Sequence, residues 1–552
     1  MRSTLIKFAT VINLIILTSF SIGQNAPAQA SDSVVYTDFA ANDFGLWSQS
    51  SIYGQDYLGS TKLEDWKQLR CSGWDDPSCA VYDNLYSDLI LSPCANEADR
   101  ACLDSVEAKN LNGTLEKLAL YGEATSKKIA KYQFKSGTEL VDIPAGGGLS
   151  VWKSSVKNSD GSDKYYAAHI LLRYIATSKK TGSTLDNHIS LSDFKGQVYP
   201  VTLKKGGTCA EFAIGDECVN SADFLGDEKI AVTLRMNKNL TGWIFGRMQD
   251  ADFSVTALDA TYNKIRISGD VTFVPELAAS VAKTDIAKDP KLEKYLKDFF
   301  TVGRVGSSVP DPGNGSWNDA SVGGLHSTTY EGFLAAQTTT RLLSVNFDKF
   351  GLFAAFENQL KPYSPAASNT GTNILRKTNS IFWNFGANTY IGNNTCSSDK
   401  SKLHGMVVTN APIFENGPPE FKDGSLNYRV AGIHNNIDGS EFKGRYTYIV
   451  RSDTARCYYG FSSAPIEARV EVVSSNNANQ IATVLVSEKE GFLKLQADNF
   501  TFSSPTIKVK FSQQAIKKVV PKKSTTITCI KGKISKKISG TAPKCPTGYK
   551  KK

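Results

Sequence analysis

The chain has 552 residues, of which 41% are apolar and 21% are charged, so it is neither wholly disordered nor fibrous, and its length suggests about two to four domains. Its 43 glycines, 22 tyrosines and 28 phenylalanines favour β-strands joined by many turns. The formal net charge of +9 comes from one end of the chain, because twelve lysines and no acidic residue lie between Lys517 and Lys552.

The N-terminal segment has the pattern of a secretory signal. Arg2 and Lys7 precede an apolar run over residues 8–22, and residues 28–30 (Ala-Gln-Ala) fit a cleavage site. The sequence therefore predicts a signal over residues 1–30, export, and a mature chain that begins at Ser31. A membrane anchor is the alternative, although the apolar run is short for a span. No second run of about 18 apolar residues follows, which predicts a mature chain without a transmembrane segment.

Ten cysteines, an even number in a chain predicted to be exported, indicate disulfides. Three pairs flank short turn-rich stretches, a fourth closes the tail, and the fifth follows by elimination. The first four cysteines allow three connectivities, of which the favoured one joins neighbours in sequence. The predicted pairs are Cys71–Cys79, Cys94–Cys102, Cys209–Cys218, Cys396–Cys457 and Cys529–Cys545.

No metal site and no cofactor are predicted. The chain has no Cys-x-x-Cys motif, and no cysteine lies near a histidine at zinc spacing. Residues 158–163 and 435–441 place Asn, Asp and Glu around a glycine and could supply oxygen ligands to calcium. Neither stretch has EF-hand spacing, and both are typical of Asx turns, which is the favoured interpretation.

Residues 31–301 are predicted to form a β-rich domain. Apolar and polar residues alternate over 230–236, and Gly269-Asp270 marks a hairpin turn between two apolar stretches. Near the end of this region Asp289 is placed to cap a helix, with Pro290 in its first turn and apolar residues at helical spacing beyond it.

Residues 302–324 contain six glycines and two prolines, which predicts a linker or an exposed functional loop. Residues 325–515 then show short strands at regular spacing, such as the alternating stretch 466–472. The predicted fold is mainly β, with two antiparallel sandwich-like regions and a few helices.

The common catalytic and nucleotide-binding motifs are missing from the sequence. Its five histidines form no H-x-H or H-E-x-x-H motif, and it contains no G-x-S-x-G, P-loop or G-x-G-x-x-G sequence. A glycosidase needs two facing carboxylates, and the sequence does not single out a pair among its 54 acidic residues. No catalytic residue is predicted.

The tryptophans raise the hypothesis of glycan binding, because a sugar ring packs on an exposed aromatic face. Burial in a core is the alternative, and it is the commoner fate of tryptophan. Trp74 and Trp317 lie in polar stretches rich in glycine and aspartate, so these two are the predicted glycan-binding candidates.

Residues 516–552 form a basic tail, and alternation around Cys529 predicts a small hairpin closed by Cys545. Without the twelve tail lysines and the two basic residues of the signal, the body has a net charge of −5. The tail is predicted to bind anionic polymers or surfaces; a solubilising end without a partner is the alternative. Nucleic acid is not a predicted partner, because only Tyr549 could stack on a base. The predicted envelope-binding residues are Lys531, Lys533, Lys536, Lys537, Lys550, Lys551 and Lys552.

The tail pattern ITC-x-KGK…KK…PKCP-x-GYKKK resembles the C-terminal tail of uncharacterised secreted proteins of aquatic Actinobacteria. Residues 69–79, 92–94, 410–419 and 451–461 resemble other parts of the same proteins. The resemblance implies a secreted location and a shared architecture. It implies no catalytic residues, because no activity is established for that family.

Together these patterns predict an exported surface protein that is held at the cell envelope by its cationic tail and that acts by binding, adhesion or structural assembly. Its predicted partners are anionic envelope polymers or surface glycans. The alternative is an extracellular carbohydrate-active hydrolase anchored by the same tail. The residues specify no oligomeric state.

Overall fold

A computed structural model describes the chain in the following ranges: residues 34–38, 51–56, 67–72, 76–79, 82, 84–126, 143–144, 146–177, 189–209, 211–282, 288–291, 293–294, 297, 340–343, 374–388, 395–397, 399, 402–411, 413–414, 419–432, 435–436, 439–461, 466–473, 479–480, 483–502, 506–513 and 524–552. The protein is mainly β and most of its strand pairs are antiparallel, which confirms the predicted fold class. The predicted signal at residues 1–30 and the glycine-rich stretch at 302–324 lie outside these ranges.

The described residues fall into two compact units, one drawn from Met1–Gly460 and Ala468–Phe511 and the other from Phe461–Glu467 and Ser512–Lys552. The largest sheet of the first unit has fifteen strands, numbered here in chain order and given in their order across the sheet: β28 (Thr483–Lys489), β29 (Phe492–Thr501), β25 (Lys443–Arg451), β21 (Leu403–Thr409), β14 (Gly242–Arg247), β20 (Asn384–Asn388), β10 (Ile189–Lys205), β12 (Glu217–Ser221), β11 (Phe212–Ile214), β7 (Ala119–Ser126), β8 (Leu149–Lys157), β9 (Asp163–Thr177), β4 (Asn84–Ile90), β2 (Ser51–Asp56) and β3 (Lys67–Cys71).

Strands from both sides of residues 302–324 alternate within this sheet. Strand β14 pairs with β20 on one side, antiparallel, and with β21 on the other, parallel. Strand β20 also pairs with β10. In the order β21-β14-β20-β10, strands that follow the glycine-rich stretch (β21 and β20) therefore alternate with strands that precede it (β14 and β10).

A second pairing within the same sheet, between β9 and β10, closes six strands into a ring of order β10-β12-β11-β7-β8-β9. Alternate residues of a strand face opposite sides of a sheet. Every strand of the ring contributes to one buried apolar cluster, which therefore fills its interior: Ala124, Leu149, Val151, Ala167, Val201, Phe212 and Val219.

The other sheets are smaller. One has five strands, in the order β15 (Gln249–Ala257), β16 (Tyr262–Asp270), β13 (Lys229–Asn237), β5 (Cys102–Lys109) and β6 (Leu115–Lys117). A four-stranded sheet has the order β18 (Thr340–Leu343), β1 (Val34–Asp38), β17 (Thr272–Ala282) and β19 (Ile374–Phe382). A six-stranded sheet contains β22 (Ile413–Phe414), β24 (Ser425–Ala431), β30 (Thr506–Gln513), β26 (Ile466–Val473) and β27 (Asn479–Gln480), with β23 (Glu420–Lys422) paired to β24.

The predicted hairpin at Gly269-Asp270 is wrong. Strand β16 continues through both residues, and Asp270 pairs with Lys229 and with Gln249 on the two neighbouring strands. The local turn signal is overridden because the strand has partners on both sides, whose hydrogen bonds favour the extended backbone.

The described part of the chain contains two helical segments among its strands. The helix Ser452–Tyr459 ends at Gly460, whose φ of 63° lies in the left-handed region that suits glycine as a helix terminator. The predicted cap at Asp289 is confirmed, because its carboxylate accepts a hydrogen bond from the Lys291 amide at 3.0 Å. The described residues that follow it, 290, 291, 293, 294 and 297, are helical.

All five predicted disulfides are present: Cys71–Cys79, Cys94–Cys102, Cys209–Cys218, Cys396–Cys457 and Cys529–Cys545. Four close loops of 8 to 16 residues, whereas Cys396–Cys457 spans 61 residues and joins the helix Ser452–Tyr459 to a distant part of the chain. In the chain-entropy model a longer loop gives the larger stabilisation, about 4 kcal/mol here against about 3 kcal/mol for a short one.

Glycines allow aromatic side chains to lie flat across the alternating strands. A methyl group at Gly196 would lie 2.3 Å from the ring of Phe385 on β20, and one at Gly405 would lie 2.7 Å from Trp243 on β14. At Gly246 the obstacle is backbone, since a methyl group there would lie 2.2 Å from the carbonyl oxygen of Asn384. The rings of Trp243 and Phe385 fill the space that the missing side chains leave, and both are buried.

We expect Gly246→Ala to lower the free energy of unfolding by about 1–3 kcal/mol or more, because strands β14 and β20 must separate to admit the methyl group. Gly122→Ala is the matched control: Gly122 lies in the same sheet, and its nearest neighbour would be 3.5 Å away, at an ordinary contact distance. Chemical denaturation measures both. Equal stability of the two variants would contradict the tight fit at Gly246.

Candidate functional site

The basic tail folds into a small sheet, in which the predicted hairpin is joined by a third strand that was not predicted. Strand β31 (Thr525–Lys531) is central and pairs with β32 (Ile534–Gly540) and β33 (Lys550–Lys551). Cys529, at the centre of β31, is fully buried and bonded to Cys545. We call residues 524–552 the terminal sheet.

The lysines of the terminal sheet are exposed and lie on both of its faces. Lys536 and Lys551 stand opposite Cys529 on the two outer strands, so all three share one face. Lys537 and Lys550 lie on the other face. Within the described part of the chain these lysines form no ion pair, and the terminal sheet itself contains no acidic residue. The exposed lysines are Lys531, Lys533, Lys536, Lys537, Lys544, Lys550, Lys551 and Lys552.

The one aromatic residue of the terminal sheet is already in contact with a cation. The Lys536 Nζ lies 5.6 Å from the centroid of the Tyr549 ring, within the range of a cation–π interaction. The lysines of this sheet therefore attract an anionic polymer without fixing its orientation. The ring of Tyr549 is the one aromatic face on which a base or sugar of the polymer could stack, and Lys536 already contacts that ring.

The sequence also pointed to two tryptophans and to two stretches that could bind calcium. Trp74 and Trp317 lie outside the described residues. The stretch 158–163 is an Asx turn, as favoured: Gly161 has a φ of 81°, and the amide of Ser162 donates to the Asp160 carboxylate at 2.9 Å. Among the described residues no group of three His, Cys, Asp or Glu side chains is arranged to hold a metal ion.

At one end of the six-stranded ring an exposed tyrosine packs against a half-buried one. The rings of Tyr121 on β7 and Tyr165 on β9 meet edge to face, with 5.1 Å between centroids and 68° between planes. Tyr121 is 40% exposed. It stands at a bulge, because the register of β7 against β8 shifts between Leu120 and Gly122, and a bulged residue is turned out of the regular alternation. We call this pair and the charged groups around it the tyrosine rim.

Hydrogen bonds and ion pairs join the polar groups of the tyrosine rim to one another. The Tyr121 hydroxyl donates to the Glu217 carboxylate at 2.6 Å, and this hydrogen bond, with smaller effects of burial and charge, raises the pKa of Tyr121 to about 12. Lys153 donates to Asp163 at 2.7 Å and lies 5.8 Å from the Tyr165 centroid. Hydrogen bonds from Lys153 and Lys157 lower the pKa of Asp163 to about 2.

Sequence reasoning missed the tyrosine rim because its members come from four strands, and nothing local distinguishes Tyr121 from the other 21 tyrosines. The Cys209–Cys218 disulfide was a partial signal, since Cys218 immediately follows Glu217 and fixes the strand that presents it.

A second polar cluster lies where the five-stranded sheet contacts β29. The side-chain amide of Gln496 donates to the carboxylates of both Asp250 and Asp498. Asp270, at the end of β16, lies beside Asp250, and its carboxylate is 3.7 Å from the Lys229 Nζ. We call Asp250, Asp270, Asp498, Gln496 and Lys494 the carboxylate cluster.

The cluster perturbs its own ionisable groups. Burial raises the pKa of Asp270, Lys229 opposes this, and the charge and hydrogen bond of Asp250 add to it. Burial also raises the pKa of Asp498, with Arg445 opposing and Asp250 adding. Burial lowers the pKa of Lys494. A like charge and burial together disfavour ionisation of a carboxyl group, which is a pattern found at catalytic sites.

The backbone of Asp250 is strained. Its φ of 46° lies in the left-handed region that non-glycine residues rarely adopt, and it stands in the bulge between Gln249 and Asp252 on β15. Strained, charged positions of this kind are concentrated at functional sites. The sequence offered no signal for this arrangement, because Asp498 lies 248 residues beyond Asp250 in the chain.

No helix in the described part of the chain has the length and apolar composition of a membrane span. No protein-family model matches the chain, and no curated protein matches it. The candidate sites therefore depend on the chemistry of their residues alone.

We expect Asp270→Asn to raise the melting temperature at pH 7. A carboxyl group whose folded-state pKa lies above its unfolded value of about 3.8 costs stability once the pH rises above that value, and a neutral amide removes the cost. The gain should fade as the pH falls below about 4. Scanning calorimetry from pH 3 to pH 8 measures it.

Asp163→Asn is the opposite case and serves as the control. The pKa of Asp163 is lowered to about 2, so its contribution to stability is present above about pH 4 and is lost as the pH falls toward 2. This variant should melt lower than the native protein at pH 7. A lower melting temperature for Asp270→Asn at pH 7 would contradict the inferred cost of the carboxylate cluster.

Proposed function

We propose that the protein is an exported surface protein that binds the cell envelope through its terminal sheet and acts by binding rather than by catalysis. The observation that carries this proposal is the set of eight exposed lysines, without an acidic partner in the described residues, on a sheet closed by its own disulfide. Five disulfides indicate an oxidising compartment outside the cytosol, where envelope polymers are available.

The proposed envelope binding depends on electrostatic attraction between the positively charged lysines and a negatively charged polymer or lipid surface. Lysine charges near an anionic lipid surface contribute about 1 kcal/mol each, and the effect fades within a Debye length of about 8 Å at physiological salt. Teichoic or uronic acid polymers and acidic lipids share the anionic groups that such a sheet attracts. The predicted net charge of −5 for the body would not bring it to the same surface.

We expect the chain Ser31–Lys552 to sediment with purified cell envelopes at low salt and to be released at about 1 M salt, where the Debye length falls to about 3 Å. Replacing the seven predicted lysines (Lys531, Lys533, Lys536, Lys537, Lys550, Lys551 and Lys552) by Gln should lower the bound fraction by about tenfold or more.

The matched control replaces the same seven lysines by Arg, which keeps the charge, and it should sediment like the native chain. A chain that ends at Ile516 should behave like the Gln variant. If the Gln variant and the truncated chain sediment as well as the native chain, the body recognises the envelope and the role proposed for the terminal sheet is wrong.

An extracellular carbohydrate-active hydrolase is the second candidate function. The observation that favours it is the carboxylate cluster, in which Asp270 holds its proton to a higher pH than usual beside Asp250. Glycoside hydrolysis requires one carboxyl group that holds its proton and a second, ionised carboxylate about 5–10 Å from it, and Asp270 has the properties of the first.

The second candidate is tested by release of reducing ends from envelope polysaccharide, with Asp250→Asn and Asp270→Asn as variants and Asp259→Asn, in an exposed turn outside both the carboxylate cluster and the tyrosine rim, as control. Hydrolysis that both cluster variants abolish, while the control retains it, would favour a hydrolase over a binding protein. No hydrolysis by the native chain would exclude it for that substrate.

A further inference from the structure

We propose that the tyrosine rim binds a neutral hexopyranose unit of a polysaccharide. This inference deepens the proposed function, on which it rests for the setting in which glycans are met, and it names a ligand class and a site for the body of the protein. The terminal sheet and the tyrosine rim would then bind different partners, an anionic polymer and an uncharged sugar.

Tyr121 presents an aromatic surface of the kind on which a sugar ring packs. A pyranose presents a face of C–H groups that packs on an aromatic ring, and amphipathic rings such as tyrosine supply such contacts while their hydroxyls remain hydrogen-bonded. Tyr121 combines 40% exposure with a hydroxyl already held by Glu217 at 2.6 Å. The ring is therefore exposed and oriented before any ligand arrives, which reduces the entropy lost on binding.

The tyrosine rim lies where the interior of the ring is no longer fully buried. The side chains that fill the ring interior become only partly buried at Tyr165, Leu203 and Ile214, in the part of the cluster that Tyr121 contacts through Tyr165. These partly buried side chains mark an open end of the closed ring of strands. Ligand sites of closed β structures are found at such mouths, where an apolar floor meets a polar edge.

Charged side chains of both signs line the edge of the tyrosine rim. Lys153 and Lys157 both bond Asp163, and Glu217 accepts from a neutral hydroxyl, so acidic and basic groups are balanced within the tyrosine rim. A balanced edge offers hydrogen-bond donors and acceptors to sugar hydroxyls without selecting for an anion. This distinguishes it from the terminal sheet, whose charge is of one sign.

Strand pairing and a disulfide hold the tyrosine rim rigid. The bulge between Leu120 and Gly122 turns Tyr121 out of the strand, and the Cys209–Cys218 disulfide closes the turn beside Glu217. Gly206 donates to the carbonyl of Asp216 at 3.1 Å, which ties the end of β10 to the same turn. A site built on strands and fixed by a disulfide holds its groups more accurately than one on a free loop.

The test is calorimetric titration of the full mature chain with three uncharged hexamers: β-1,4-linked glucose, α-1,4-linked glucose and β-1,4-linked N-acetylglucosamine. We expect the native protein to bind at least one of them. Tyr121→Ala should weaken that binding by about tenfold or more, because it removes the aromatic face. Tyr121→Phe keeps the face and should bind within about threefold of the native protein.

Two further variants separate loss of the aromatic face from misfolding and from the loss of any exposed apolar side chain. Tyr121→Leu preserves apolar bulk at the bulge, so it should fold and still lose binding if an aromatic face is what the sugar needs. Leu111→Ala is the matched control, since Leu111 is an exposed apolar residue, 88% accessible, in a turn that is not part of the tyrosine rim. It should bind like the native protein.

Failure of all three hexamers to bind the native chain would overturn the inference, as would binding that Tyr121→Ala and Tyr121→Leu leave unchanged. These titrations contain no envelope and use a chain with its lysines intact. Their failure is therefore distinct from failure of the envelope proposal, which is measured by sedimentation of the lysine variants.

Discussion

The body of the protein depends on the pairing of β14 with one neighbour on each side, β20 and β21. Both neighbours follow residues 302–324 in the chain, and β14 precedes them. The central strands can therefore form their hydrogen bonds only when parts of the chain about 140 residues or more apart have come together. Loop closure of that length costs entropy before any pairing is gained, which predicts slow folding of this sheet.

Glycine and aromatic residues make that pairing compatible with a dense core. Phe385 lies across Gly196, and Trp243 lies against Gly405, so each ring occupies space that a side chain on the neighbouring strand would fill. Trp243 also stacks with Tyr448 on β25, with 5.7 Å between centroids. These buried rings help to hold the sheet together, which is the commoner role of buried aromatic side chains.

The two kinds of candidate binding surface differ in how they are built. The terminal sheet is short, local in sequence and covered with charge of one sign, and its fold depends on one buried disulfide at Cys529. The tyrosine rim and the carboxylate cluster each combine residues from separate strands. In the tyrosine rim Lys153 pairs with Asp163 and Tyr121 bonds Glu217, and in the carboxylate cluster one amide, that of Gln496, bonds two carboxylates. Attraction without direction suits the first, and recognition of a shaped ligand suits the second.

The sequence by itself determined what depends on neighbours in the chain. Alternating strands, the helix cap at Asp289, the terminal hairpin and the five disulfides were all predicted, and the described residues bear them out. Local geometry is set by side-chain period, capping and turn chemistry, which a sequence displays directly. The tail lysines could be found because their shared sign and their closeness in sequence are both visible there.

Only the tertiary structure decided which distant residues meet. The alternation of strands from both sides of residues 302–324, the continuous strand through Gly269 and Asp270, and the closed ring of six strands follow from hydrogen-bond partners that no local pattern specifies. The same holds for Tyr121 with Glu217 and for Asp250 with Asp498. A strand pattern shows which face of a strand is buried, and it does not show against which strand, because backbone pairing is almost independent of side-chain identity.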